Sequence, residues 1–353
     1  MSIKSKTIIE AIDLFCGAGG LTCGLNKTGK IQVVCGLDAD PKCEYPFVRN
    51  NKTKFIHKEI EKTTPKEIVP FFSKDAIRVL AGCAPCQTFS KYNPKANSDD
   101  TRWNLLLEFS RLVKAIKPEF VTMENVPGLV KQDVFHHFTS TLEKAKYKIW
   151  WDIIDCSQYG LPQQRRRLVL LASRLGKISL LPPGKCNSVS TSVRNAIGHL
   201  PRIEAGEICS TDDLHRARNL SPINLNRIKK SSPGRTWRDW PKKLIAECHK
   251  RSAGKTYPSV YGRMAWDSPS PTITTQFFGY GNGRFGHPEQ DRAISLREGA
   301  ILQGFPDDYE FSAPDEPISF ETIGRLIGNA VPVKLGEIIG ISLLHHYKNH
   351  LRN

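Results

Sequence analysis

The sequence lacks a long uninterrupted apolar segment. No run approaches the roughly 20 apolar residues of a membrane-spanning helix, and residues 1–7 lack the apolar stretch of a secretory signal. The 10 cysteines and 10 histidines show no regular spacing, which disfavours a metal site and points to a reducing compartment. We therefore expect a cytoplasmic protein with no membrane anchor and no bound metal.

Acidic residues are scarce relative to basic ones. The chain has 35 Asp and Glu against 51 Lys and Arg, a net charge of +16. Between residues 181 and 260 the imbalance is strongest, with 15 basic against 6 acidic residues. Trp237 and Trp240 lie in the same region. This mixture favours phosphates and bases as partners, although a basic run is usually only a solvated surface.

A glycine-rich turn follows the first apolar run. Thr7–Phe15 is β-branched and apolar, and the glycines at 17, 19 and 20 allow a tight turn before a helix at Leu21–Asn26. This order is typical of the first strand, turn and helix of an open parallel sheet, where ligands bind beyond the carboxyl ends of the strands. A structural turn without a ligand remains an alternative.

A second run, Ile31–Leu37, is followed by Asp38, which has the spacing of an acid that binds a ribose hydroxyl. The sixth position of the dinucleotide pattern is Thr22 rather than glycine. A nicotinamide or flavin cofactor is therefore disfavoured.

Two cysteines follow a third run, Ala76–Ala81. Cys83 and Cys86 could be a redox pair, half of a zinc site or two buried thiols, but the chain offers no second Cys-x-x-Cys to complete a zinc site. Pro85 stiffens the chain before Cys86, which we expect at the carboxyl edge of the sheet.

Glu124 follows the run Phe120–Met123, which places a carboxylate at the same predicted edge as Cys86. A solvated loop acid is the simpler interpretation of Glu124 taken alone.

A Gln-x-Arg-x-Arg segment precedes the apolar run at 168–172. In an extended chain Gln163, Arg165 and Arg167 share one face, and Gln164 and Arg166 lie on the other.

Taken in order, six segments resemble motifs of the cytosine-5 DNA methyltransferase family, of the prokaryotic restriction-modification type. The segments are 13–22, 82–90, 124–127, 163–167, 297–306 and 328–332. The resemblance implies an α/β fold, a Rossmann-like S-adenosylmethionine-dependent methyltransferase sheet with a second, smaller target recognition domain. We expect a catalytic domain at 1–180, completed by 319–353, and a target recognition domain and hinge at 181–318. The helix predicted from 333 to 347 is expected to pack back against the first lobe, the part of the chain up to about residue 180.

The resemblance also implies the chemistry. Cys86 is the expected nucleophile towards carbon 6 of cytosine, Glu124 the group at ring nitrogen 3, and Arg165 and Arg167 the contacts to the carbonyl oxygen and adjacent backbone. Cys83 is expected to contribute only to stability. The expected contacts to S-adenosylmethionine are Phe15, Gly17, Gly19, Asp38, Glu59, Pro85, Leu105, Asn329 and Val331.

The implied substrate is double-stranded DNA with its target cytosine flipped out of the stack. The polar segment 90–102 is expected to close on the DNA, with an ordinary surface loop as the alternative. We expect a monomer associated with the nucleoid, compatible with a restriction endonuclease acting separately on the same site. Two alternatives stay open: a tRNA cytosine-5 methyltransferase and a non-catalytic DNA-binding homologue.

Overall fold

The computed structural model describes residues 9–85, 104–186 and 191–352. The described strands are β1 (Ile9–Leu14), β2 (Ile31–Asp38), β3 (Lys54–His57), β4 (Ile77–Gly82), β5 (Phe120–Asn125), β6 (Lys148–Asp155), β7 (Arg166–Ser173), β8 (Ile208–Cys209) and β9 (Asp212–Arg216). The described α-helices are α1 (Gly20–Lys27), α2 (Glu44–Asn51), α3 (Pro65–Ile68), α4 (Asn104–Ile116), α5 (Asp133–Lys144), α6 (Val193–Ile197), α7 (Pro222–Lys229), α8 (Glu247–Lys250), α9 (Leu296–Leu302), α10 (Phe320–Asn329) and α11 (Val333–His350).

Seven strands form one sheet in the order β3-β2-β1-β4-β5-β7-β6. Neighbouring strands from β3 to β5 pair in parallel, and β7 pairs antiparallel with both β5 and β6. The order reverses at β1, the kind of topological switch point at which open α/β sheets bind ligands. The predicted α/β class with an open, mostly parallel sheet is confirmed.

Two strands extend further than the sequence pattern indicated. Asp38 is the last residue of β2, because its backbone pairs with His57 of β3. Glu124 lies within β5, where it pairs with Val169 of β7, although the pattern had placed it after the strand. Both carboxylates are therefore held by the sheet ladder rather than by loops, which limits their backbone freedom.

The central strands of the sheet carry most of its buried apolar residues, whereas the edge strand β3 is only partly buried. β1 is buried along its whole length, and Leu80, Val121 and Leu170 of the neighbouring strands are fully buried. Near-continuous apolar runs are what a sheet covered on both faces requires.

The last helix, α11, packs closely against α1. A Cβ added at Gly24 would lie 2.2 Å from the carbonyl oxygen of Val333, and one added at Gly336 would lie 2.8 Å from that of Leu21. Glycine at these positions lets the two backbones approach each other. The expected return of the C-terminal helix to the first lobe corresponds to this contact, and it connects α11 to the helix that follows the glycine-rich turn.

The chain divides into two compact units. The first comprises Met1–Tyr159, Arg166–Ser188 and Val331–Asn353, and the second comprises Gly160–Arg165 and Val189–Ala330. These units differ from the predicted domains by placing 160–165 and 319–330 in the second unit and 181–188 in the first. The functional assignment of the domains stays a prediction.

One stretch, Phe320–His350, is long and apolar enough by composition to cross a membrane. Its apolar window is 78% buried inside the protein, and Pro332 separates its two helices. Burial of this kind is typical of core helices in soluble proteins.

Candidate active site

The turn after β1 contains three residues in the left-handed region of backbone conformation, which favours glycine. Phe15, Gly17 and Gly19 all have positive φ angles, of 59°, 53° and 89°. Positive φ is accessible to glycine but strained for phenylalanine. A Cβ at Gly17 would meet nothing within 4 Å, so the glycine there serves the backbone conformation and leaves open space beside it. A strained turn beside open space at a strand end is typical of a ligand-binding position.

Asp38 is joined to this turn. The Gly17 amide donates to Asp38 Oδ2 at 2.9 Å, and the Asp40 amide donates to Oδ1 at 2.9 Å. Burial raises the pKa of Asp38 above its usual value, although these backbone hydrogen bonds oppose the increase. A carboxylate has about four acceptor positions, so Asp38 retains capacity for a ligand hydroxyl.

Asp13 was missed by the sequence reasoning. It is 1% exposed, and the Thr22 hydroxyl donates to its Oδ2 at 2.7 Å. Burial raises the pKa of Asp13 to about 7, helped by the charge of Asp38 and opposed by the Thr22 hydrogen bond. Thr22, interpreted from the sequence only as a break in a glycine pattern, is the hydrogen-bond partner of a buried acid. The available signal was the position of Thr22, which replaces the glycine at the sixth position of the pattern that begins at Gly17.

Glu124 forms the centre of a polar cluster at the carboxyl edge of β5. Its side chain is 3% exposed. Arg167 Nε lies 2.9 Å from Glu124 Oε1 in an ion pair, and the Cys83 thiol donates to Glu124 Oε2 at 2.8 Å. Arg167 reaches this position because β7 begins at the same sheet edge where β5 ends.

Asn125, the next residue of β5, was also missed. Its Nδ2 donates to the carbonyl oxygen of Ala84 at 3.0 Å, and the side chain is 2% exposed. Two consecutive residues of β5 therefore hold Cys83 and Ala84, the chain that leads to Cys86. Cys86 itself lies outside the described residues, as does the predicted closing segment 90–102.

The remaining residues predicted to contact the cofactor differ in burial and in the compact unit to which they belong. Glu59 is exposed and forms an ion pair with Lys62 at 2.7 Å. Pro85 is exposed, and Leu105 is partly buried against the sheet core. Val331 is 6% exposed and belongs to the first unit. Asn329 is the exposed last residue of α10 in the second unit.

Arg165 lies in the second unit, where it joins separate chain segments. Burial alternates as predicted, with Gln163 and Arg165 buried and Gln164 and Arg166 exposed. Arg165 Nη1 donates to the carbonyl oxygen of Ile273 at 2.8 Å and Nη2 to that of Gly328 at 3.1 Å. These contacts organise the backbone of this unit.

The segment 297–306 contributes to the same network. Gln303 is fully buried, accepts a hydrogen bond from Gln163 at 2.8 Å and donates to the carbonyl oxygen of Ala330 at 2.6 Å. Glu298, at the start of α9, forms an ion pair with Arg292 at 2.7 Å, and both are buried. The residues of this segment therefore supply internal contacts of the second unit.

Comparison with solved structures identifies the class of fold. A prophage-encoded protein of Escherichia coli, described as a DNA modification methyltransferase, matches with a TM-score of 0.75 and 23% identity over 98% of this chain and 100% of that chain. The DNMT2 of Spodoptera frugiperda matches with a TM-score of 0.67 and 18% identity, over 95% and 99% of the two chains. At these identities the likeness establishes a methyltransferase fold.

The sequence comparisons identify the family. The family model described as C-5 cytosine-specific DNA methylase matches residues 9–345. The Type II methylase M.HgiDII of Herpetosiphon aurantiacus is 50% identical over 94% of each chain, and the Type II methyltransferase M.Eco47II of Escherichia coli is 30% identical over 97% of this chain and 80% of its own. The chain belongs to the C-5 cytosine-specific DNA methylase family, and it is a DNA cytosine-5 methyltransferase.

Proposed function

We propose that this enzyme methylates carbon 5 of a flipped-out cytosine in duplex DNA through a covalent adduct with Cys86. The observation that supports this most directly is the position of Glu124. Its buried carboxyl group lies at the carboxyl edge of the sheet, paired with Arg167 and in contact with Cys83. Cys83 is three residues before Cys86 and directly follows β4, which pairs in parallel with β5, the strand that carries Glu124.

The proposed residues divide the chemistry between them. Cys86 adds as a thiolate to carbon 6, which makes carbon 5 nucleophilic. Glu124 supplies a proton or hydrogen bond at ring nitrogen 3, where negative charge develops. Loss of the carbon 5 proton after methylation then expels the thiolate and regenerates Cys86.

Arg167 and Arg165 are proposed to act differently. Arg167 is ion-paired to Glu124 and is 14% exposed, so it can hold the carboxyl group and still reach the carbonyl oxygen of the base. The two Nη atoms of Arg165 donate to backbone carbonyls in the second unit. This supports a positioning role for Arg165 within the proposed catalytic set.

S-adenosylmethionine is the proposed cofactor, and the residues present fit it. Phe15, Gly17 and Gly19 form a turn beside open space, and Asp38 offers a carboxylate to ribose hydroxyls. Glu59, Pro85, Leu105, Asn329 and Val331 complete the proposed contacts. When bound, the cofactor supplies a methyl group on a positively charged sulfur. The buried carboxylates of the turn offer that charge a favourable electrostatic environment.

The second unit is proposed to recognise the DNA sequence. Arg227 lies over the rings of Trp240 and Tyr261, and Trp237 stacks on His249 with ring centroids 4.4 Å apart. These contacts give a Gly- and Pro-rich chain a fixed shape for presenting basic side chains. Two Type II methylases among the relatives favour a restriction-modification role. We propose a monomeric enzyme at the nucleoid, with any endonuclease acting separately.

Trapping with 5-fluorocytosine tests the proposed chemistry. Duplex DNA with 5-fluorocytosine at the target should form an adduct that survives denaturing electrophoresis and requires S-adenosylmethionine, because fluorine does not leave as a proton does. Cys86→Ala should abolish both trapping and methylation, yet retain DNA binding through phosphate contacts. A Cys86→Ala variant that still forms the adduct would refute the assignment.

Two further arms address substrate and specificity. A tRNA substrate offered in the same transfer assay should remain unmethylated, and preferential tRNA methylation would favour the alternative of a tRNA cytosine-5 methyltransferase.

Exchange of residues 185–290 with those of a relative of different specificity should change the methylated DNA sequence. An active chimera that keeps the original specificity would show that recognition lies elsewhere.

A further inference from the structure

The Cys83 thiol has no part in the proposed covalent chemistry, but it contacts the proposed acid directly. Cys83 immediately follows β4, and its amide donates to the carbonyl oxygen of Leu14 at 3.3 Å, which continues the pairing of β4 with β1. The backbone of Cys83 is therefore held by the sheet. From this position its Sγ donates to Glu124 Oε2 at 2.8 Å.

Both oxygens of the Glu124 carboxyl group have a close polar neighbour. Arg167 Nε is 2.9 Å from Oε1 as an ion pair without hydrogen-bond geometry, and Cys83 Sγ donates a hydrogen bond to Oε2 at 2.8 Å. A planar carboxyl group fixed at one oxygen can still rotate about its terminal bond, since that torsion has a broad energy profile. The directional hydrogen bond from the thiol to Oε2 restricts this rotation. The thiol therefore defines the plane of the carboxyl group.

The sulfur of Cys83 is suited to donating rather than to nucleophilic attack. Its thiol hydrogen is already directed at Glu124 Oε2. A thiol is a weak donor, but donation to a carboxylate is charge-assisted. Cys83 is therefore expected to have a chemical role different from the one proposed for Cys86.

We propose that Cys83 is a positioning residue that fixes the orientation of the Glu124 carboxyl group towards the target base. The inference rests on the proposed function, because it assumes that Glu124 acts on the base. It predicts that the hydrogen-bonding capacity of residue 83, rather than its volume, sets the methylation rate.

Three substitutions at residue 83 separate donation from packing. Cys83→Ala should lower kcat about tenfold, since one well-placed hydrogen bond has about this effect on a rate, and KM for S-adenosylmethionine should stay within about twofold. Cys83→Ser restores a donor and should recover most of kcat. Cys83→Val keeps volume without a donor and should be as slow as Cys83→Ala. Melting temperatures show which variants fold. If Cys83→Ala does not fold, the kcat of Cys83→Val compared with that of Cys83→Ser decides between donation and packing.

Cys186→Ala is the matched control. The Cys186 thiol is buried and donates to the backbone carbonyl of Leu181 at 3.8 Å, with no carboxylate involved. Its removal should leave kcat unchanged. An equal loss of kcat in Cys186→Ala and Cys83→Ala would overturn the inference, as would a Cys83→Ser variant as slow as Cys83→Ala.

Glu124→Gln distinguishes failure of this inference from failure of the proposed function. Glu124→Gln should lose most activity. If it is inactive while Cys83→Ala has wild-type kcat, only the positioning role of Cys83 is wrong. If Glu124→Gln retains wild-type kcat, the proposed function of Glu124 is wrong.

Discussion

Two acids beside the glycine-rich turn of the first unit, the buried Asp13 and the partly buried Asp38, differ in environment from Glu298 of the second unit. In the first unit, burial raises the pKa of Asp13 to about 7 and also raises the pKa of Asp38. Neither acid forms an ion pair within the described ranges. In the second unit, burial acts to raise the pKa of Glu298, but the charge and hydrogen bonds of Arg292 outweigh it and lower that pKa to about 2.

Among the described residues, the two acids beside the turn have no fixed counter-charge, unlike Glu298 and unlike Glu124 of the first unit, which pairs with Arg167. A buried carboxylate with a fixed counter-charge stabilises its own fold, as Glu298 does with Arg292. A buried carboxylate that lacks one is destabilised until a suitable ligand arrives, and perturbed acids of this kind are concentrated at functional sites. His287, beside Glu298, follows the structural pattern, because burial lowers its pKa to about 4 and keeps its ring neutral.

The largest expected effect concerns the ion pair of the second unit. Glu298→Ala leaves the fully buried Arg292 without its counter-charge, so we expect the free energy of unfolding to fall by about 3–5 kcal/mol. Denaturant unfolding measures this. Asp267→Ala is the control, because Asp267 and Arg194 form an exposed pair whose loss should cost at most about 1 kcal/mol. Equal losses in the two variants would contradict the assigned structural role.

The next prediction concerns Asp13, whose substitution should stabilise the protein, whereas Glu298→Ala should destabilise it. Below about pH 4 the carboxyl group is protonated in both the folded and the unfolded chain. Between about pH 4 and pH 7 the unfolded chain releases this proton while the folded chain still holds it. The free energy of unfolding of the wild-type protein therefore falls across this range. Asp13→Asn stays neutral, and its free energy of unfolding relative to wild type should rise by up to about 4 kcal/mol across this window.

Thermal or urea unfolding at several pH values measures the Asp13 difference. Asp75→Asn, at an exposed position, should differ from wild type by less than about 0.5 kcal/mol throughout. A pH-independent difference for Asp13→Asn would show that Asp13 is not destabilised by burial.

A smaller effect is expected on cofactor affinity. Asp38→Ala removes the carboxylate joined to Gly17 and should raise Kd for S-adenosylmethionine at least about tenfold, which corresponds to about 1.4 kcal/mol. Calorimetry measures the change, with exposed Glu44→Gln as the control. A nicotinamide dinucleotide should not bind the wild-type protein. Tight binding of that dinucleotide without binding of S-adenosylmethionine would reverse the cofactor assignment.

The smallest effect is expected at Glu59. This acid is exposed and already paired with Lys62, so Glu59→Gln should raise Kd for S-adenosylmethionine by only about two- to threefold, as suits a solvent-screened contact. The same calorimetric titration measures it. An increase as large as that of Asp38→Ala would show that exposure does not distinguish the two acids.

The sheet was predictable because its strands are long apolar runs. Ile31–Asp38 and Ile77–Gly82 match the predicted strands to within one residue at their ends. Pattern reasoning could not place Glu124 inside β5, because the pairing that extends this strand comes from β7, more distant in the sequence. Long-range pairing of this kind leaves no local signal.

The side-chain contacts of the site were less predictable. Cys83 was assigned only a contribution to stability, and its contact with Glu124 argues against that expectation, which stays untested. Arg165 and Arg167 share one motif, yet Arg165 contacts backbone carbonyls of one unit and Arg167 contacts an acid of the other. Residue type and spacing indicated charged groups, and only the tertiary structure shows their partners.

The contact between α1 and α11 has a consequence during protein synthesis. Gly24 and Gly336 meet across nearly the whole length of the chain. At ribosomal rates, α1 emerges tens of seconds before its partner. The first unit therefore cannot complete its fold until α11 has been made, and its glycine-rich turn gains the support of that helix only then. A polypeptide that stops short of α11 lacks one of the two surfaces that this packing needs.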